Sequence, residues 1–114
     1  MNRLTFWHAT PSDNVDSILC DGLEPRIGPR SKVLGEPVPA IYFFDSRELL
    51  EDAIGQWLGD SFEEEGITSL AVISIVIGEA ELAGHLHFDG LSHFCTCTIP
   101  PAALRVLWHE CLTE

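Results

Sequence analysis

Thr68-Ser69-Leu70-Ala71-Val72-Ile73-Ser74-Ile75-Val76-Ile77 is the stretch whose reading decides the fold. It is strongly β-branched and almost continuously apolar. Such a run is the pattern of a strand covered on both faces, so it predicts a central strand. Working outward, Ser92 to Ile99 and Leu104 to Trp108 read as two further strands, joined by a Pro100-Pro101 turn. On the other side, Asp60 to Gly66 reads as an acidic loop. Before it, Asp45 reads as the cap of a helix, with Glu48 three residues on and a buried stripe of Leu50, Ala53, Ile54, Trp57 and Leu58. Ala40 to Phe44 reads as a strand, and residues 26–39, with their glycines and prolines, as a long loop. Leu4 to His8 reads as the first strand. Thr10-Pro11-Ser12-Asp13 is the pattern of a helix start, followed by Val15, Ile18 and Leu19 on one side and Gly22 as the stop. The order β-α-β-α-β-β-β predicts one α+β domain over residues 1–114: a small, mostly antiparallel sheet with two helices.

Charge narrows the functional classes. The chain has 114 residues, with 6 Lys plus Arg against 18 Asp plus Glu, a net charge of −12. A sequence-independent grip on nucleic acid needs bases to neutralise phosphates, so no direct nucleic-acid binding is expected. An anchor to acidic membranes is disfavoured for the same reason. The apolar run from Leu70 to Ile77 is too short to span a bilayer, and Met1-Asn2-Arg3-Leu4 lacks the apolar stretch of a signal peptide. With Cys20, Cys95, Cys97 and Cys111 read as reduced thiols, the expected location is cytoplasmic.

Phe6-Trp7-His8-Ala9-Thr10 is the stretch most suggestive of chemistry. An imidazole where a strand ends beside a helix start can bond a ligand hydroxyl. An aromatic on a neighbouring strand, Tyr42, can offer a flat wall to a planar ring. A cleft of this kind suits a nucleotide or nicotinamide group. The same residues are also compatible with a strand end, a helix cap and a core tyrosine.

His8-Ala9-Thr10, Asn14 and Ile18 on the helix, Gly22-Leu23 with Pro25, and a strand holding Tyr42 resemble, in order and spacing, the N-terminal half of the ADP-ribosyltransferase superfamily. The resemblance covers about residues 4–60. It implies an ADP-ribosyltransferase-like fold, in which the sheet can be split, with NAD as substrate. By that resemblance His8 would bond a ribose hydroxyl of NAD, the backbone of Ala9 would hold the nicotinamide carboxamide, Thr10 would support His8, and Tyr42 would stack on the nicotinamide ring. The family's chemistry breaks the nicotinamide–ribose bond through an oxocarbenium-like centre, which a nearby carboxylate stabilises. The family commonly carries a Glu on a late strand. Here that strand, Ser92 to Thr98, holds no acid, and His93 is the residue that could fill the place. Arg26 and Arg30, clustered with Lys32, could meet the diphosphate. The implied acceptor of ADP-ribose is a macromolecule, a protein first of all, as for a phage or toxin effector.

Two other patterns point elsewhere. His85-Leu-His87-Phe-Asp89 and His93-Phe-Cys95-Thr-Cys97 place potential ligands on one strand face. The Cys spacing is not that of structural zinc sites, and no metal is assigned. A Cys–His pair drawn from Cys95 or Cys97 with His8 or His93 has no local mark of an activated thiol. The acids from Asp60 to Glu65 give the alternative reading: a non-catalytic acidic inhibitor that copies nucleic-acid charge and blocks a basic nucleic-acid-binding partner.

Overall fold

The computed structural model describes residues 3–25, 41–88 and 93–111. Strand β1 (Arg3–Pro11) is followed by a 3-10 turn (Ser12–Asn14) and helix α1 (Val15–Asp21). Next come β2 (Ile41–Phe43) and helices α2 (Arg47–Ile54) and α3 (Trp57–Glu64). Strand β3 (Ser69–Gly78), a 3-10 turn (Glu79–Leu82), β4 (Leu86–Phe88), β5 (His93–Cys95), a 3-10 turn (Pro101–Ala103) and β6 (Leu104–Cys111) complete the described chain. The result is a small α+β domain with two three-stranded antiparallel sheets, ordered β1-β3-β6 and β2-β5-β4.

Strand β3 is central in its sheet, as its composition requires. Leu70, Ala71, Val72 and Ile73 are all completely buried, because the sheet is covered on both sides. One face carries Phe6, Ile73, Ile75 and Ile77, packed against Phe43 and Cys95 of the second sheet and against Ile18, Leu23 and Ile99. The opposite face carries Ala9, Leu70 and Val72 under Leu50, Ala53, Ile54, Leu58 and Phe62 of the two helices. The register of β3 with β6 slips between Val72 and Ile73: Ile73 faces Val106 while Val72 faces Trp108, so Leu107 is the extra residue. A bulge of this kind re-aims the residues beyond it. Trp108 thus reaches the helix side, where the Arg47 guanidinium lies 4.3 Å from its ring centre.

Several local expectations are corrected. Thr10 is not a helix cap: β1 runs on to Pro11, and Thr10 is a buried strand residue. Burial of the strand face outweighs the local capping pattern. Of the expected α1 stripe only Ile18 is buried, while Leu19 is exposed. The cap of α2 is Ser46, not Asp45; its hydroxyl accepts from the Leu49 N–H at 3.4 Å. The single helix expected to run through Leu58 is two helices, broken at Gly55-Gln56, and most of the expected acidic loop is α3 itself. The strand expected from Ser92 to Ile99 is cut to His93–Cys95, β6 extends to Cys111, and β4 had no predicted counterpart. The loop expected over 26–39 lies outside the described residues.

Helices α2 and α3 are held close at Gly59. A β-carbon there would collide with the main-chain carbonyl of Ile54. Backbone cannot swing aside as a flexible side chain can, so Gly59→Ala is expected to cost ~1–3 kcal/mol as overpacking. A urea titration that leaves the midpoint unmoved would contradict that close approach.

Candidate functional site

Among the described residues the two sheets meet at one backbone exchange. Trp7 and Phe44 each donate their N–H to the other's carbonyl at 2.8 Å. In an antiparallel ladder the next such exchange falls two residues further on each strand, here between Ala9 and Tyr42. Among the described residues that exchange is missing. The Tyr42 carbonyl instead accepts a hydrogen bond from His8 Nδ1 at 2.6 Å. The His8 side chain therefore wedges between the strands one step past the last bridge and takes the acceptor that Ala9 would have used. By the two-residue strand period, the Ala9 N–H and C=O point the same way as those of Trp7, away from β3. They lie on the edge of β1 that faces β2, a donor and an acceptor side by side.

The bond fixes the state of His8. A carbonyl only accepts, so Nδ1 carries the proton. Burial lowers the His8 pKa below its ordinary value of 6.5, opposed in part by the bond to Tyr42, which favours the charged form. His8 is therefore neutral at pH 7, with Nε2 as a lone-pair acceptor. An unfolded chain protonates this imidazole near pH 6.5 while the native chain does not, so the contribution of His8 to stability is fully present above pH 6.5. It is lost as the pH falls from 6.5 toward the lowered native value. Urea midpoints of the wild type are expected to drop more between pH 7.5 and pH 5 than those of His8→Gln. Parallel profiles for the two proteins would refute this.

The contact between positions 8 and 42 runs from imidazole to main chain rather than between two facing side chains. The ring of Tyr42 lies against Phe94 on β5, centroids 5.5 Å apart, and Phe94 stacks on His87 of β4 at 5.0 Å. Tyr42, Phe94 and His87 are cross-strand partners on the face of the second sheet opposite to Ile41, Phe43 and Cys95. Thr10 lies two residues beyond His8 on the same strand face, paired with Ala71. Arg26, Arg30 and Lys32 lie outside the described residues.

His93 sits at the start of β5, directly opposite Phe43. Its ring is 5.5 Å from Phe6 and 4.7 Å from Phe88, and its Nε2 is 3.4 Å from the carboxylate of Asp45. The strand thus lacks an acid of its own but has one beside it. Asp45 was visible in the sequence only as a cap candidate, because its approach to β5 is a tertiary contact. A second grouping had no sequence signal at all. The Ser12 hydroxyl is 2.7 Å from the Ser69 hydroxyl and 3.0 Å from His109 Nδ1, which the bulge at Leu107 turns to that face.

Among the described residues no group of three or more His, Cys, Asp or Glu is placed to hold a metal ion. His85 meets Thr96 at 3.4 Å, and Cys95 meets Cys97. A cavity of about 830 Å³ lies at the Arg3 end of β1, between Ile77, Leu82 and Ala103, roughly 17 Å along the strand from His8 at the usual rise. Among the described residues no helix is long and apolar enough to cross a membrane. No protein-family model matches the chain, and neither any curated protein nor any solved structure matches it.

Proposed function

We propose that this chain is a minimal ADP-ribosyltransferase-like protein that binds NAD at the parting of its two sheets and passes ADP-ribose to a macromolecular acceptor. The observation that carries the reading is the His8–Tyr42 bond, which among the described residues leaves the Ala9 N–H and C=O on the β2-facing edge of β1 without the exchange that a continued ladder would give them. A primary carboxamide has a donor and an acceptor in the same plane, so the nicotinamide amide is the complement of that edge. The neutral imidazole adds Nε2 as an acceptor for a ribose hydroxyl. The resemblance carried by His8-Ala9-Thr10 and Tyr42 implies these roles for His8 and Ala9. As the nicotinamide–ribose bond breaks, positive charge grows on the sugar, and the Asp45 carboxylate beside His93 on the late strand is an anion that can offset it. Titration calorimetry with NAD tests the reading. Binding heat is expected from the wild type, and its absence would overturn the proposal.

One observation favours the second reading, an acidic inhibitor of a basic partner. Glu63, Glu64 and Glu65 are exposed at the C-terminal end of α3, with no basic residue in its last turn. Carboxylates there oppose the helix dipole. Changing all three to Gln is therefore expected to raise the thermal midpoint. If the inhibitor reading holds, the same variant loses partner binding, and the wild type's binding weakens steeply with salt.

A further inference from the structure

Cys95 and Cys97 stand in the sequence as potential ligands without the spacing of a structural zinc site, and the proposed function does not use them. The structure brings their sulfurs to 3.3 Å. The chain bends at Thr96 and Cys97 directly after β5, so the Cys97 side chain folds back over Cys95. The Cys97 N–H donates to Cys95 Sγ at 3.5 Å, and the Cys95 thiol donates to the Cys97 carbonyl at 3.4 Å. The bend is pinned from outside: the Thr96 N–H donates to the His85 carbonyl at 3.1 Å. Cys95 is completely buried in the core, whereas Cys97 is partly exposed. Cys20 and Cys111 are exposed, and none of the four cysteines is in a disulfide.

We propose that Cys95 and Cys97 form a dithiol modification site, closed to an intramolecular disulfide by exchange with a small disulfide such as oxidised glutathione. The two sulfurs need to approach by little more than 1 Å to reach the ~2.05 Å of a disulfide. The order of events follows from exposure. The Cys97 thiolate attacks one glutathione sulfur, forming a mixed disulfide and releasing one glutathione thiolate. Cys95, as thiolate, then attacks the Cys97 sulfur, and the second glutathione leaves as its thiolate. Two protein thiols are oxidised, and one glutathione disulfide is reduced to two thiols. Cys97, the more exposed of the two, is the entry point, and burial, opposed in part by the Cys97 N–H, holds the Cys95 thiol up at about 11, which slows the second step. The same separation suits one trivalent arsenic bridging both sulfurs. Phenylarsine oxide is therefore a probe of the pair that needs no oxidation.

The test uses the full chain with Cys20→Ser and Cys111→Ser, which removes the exposed thiols. After treatment with excess oxidised glutathione and alkylation under denaturing conditions, the peptide holding both cysteines is expected to carry no alkyl group and to have lost two hydrogens. Dithiothreitol should restore both alkylation sites. Phenylarsine oxide is expected to bind one per chain, and to lose at least tenfold in affinity when Cys97→Ser is added. A stable glutathione adduct on Cys97, or two alkylated cysteines, would overturn the proposal. So would arsenical binding unchanged by Cys97→Ser. None of these readouts depends on NAD.

Discussion

Replacing His8 with alanine is expected to abolish the binding heat with NAD while leaving a folded protein. Two losses coincide in that substitution. The ribose hydroxyl loses its acceptor, Nε2. The wedge that parts β1 from β2 also goes, because the Tyr42 carbonyl no longer has the imidazole at 2.6 Å. The ladder beyond Trp7–Phe44 can then close, with the Ala9 N–H bonding the Tyr42 carbonyl that His8 had taken. The edge offered to a carboxamide disappears. The stability cost is that of one part-buried hydrogen bond, ~1 kcal/mol, and is smaller if the ladder closes. Circular dichroism should therefore match the wild type. His8→Gln separates the two losses. Its amide N–H can hold the Tyr42 carbonyl and keep the sheets apart, so NAD binding should weaken without vanishing. Full NAD affinity in His8→Ala would remove this residue, and with it the proposed site.

Phe43→Ala is expected to cost ~3–5 kcal/mol, the range for deleting a buried aromatic ring. Phe43 is completely buried and its ring lies 4.4 Å from that of Phe6, so the pair carries the packing between the two sheets. Among the described residues the backbone link between those sheets is the single exchange at Trp7 and Phe44. Side-chain burial rather than backbone ladder thus fixes their mutual placement. A cost of this size is a large part of the 5–15 kcal/mol that typically separates folded from unfolded domains. The urea midpoint should fall steeply, and His93, facing Phe43 across the strand pair, should lose its fixed position next to Asp45. A shift corresponding to under about 1 kcal/mol would show that the sheets are held by something else.

The candidate site was partly legible in advance. His8, Ala9 and Tyr42 could be picked out because residue type and order along the chain carried the signal. Their relation could not, because it depends on which strand edges stay paired. A two-residue period says which face a side chain takes, but not where a ladder stops. Thr-Pro-Ser-Asp is a good helix start in isolation, but burial of Thr10, paired with Ala71, keeps it in the strand. Asp45 was read for its neighbours in sequence, while its partner, His93, is 48 positions away.

The sequence by itself determined the fold class and the central place of β3. A ten-residue run with so little polar surface can be buried only between two apolar layers, and the helices and remaining strands supply them. Tertiary structure alone decided that the strands form two sheets rather than one, that an imidazole sits where they part, and that Cys95 meets Cys97. Each of these rests on a strand end or a bend, where local preferences are weak and the packing of distant residues sets the geometry.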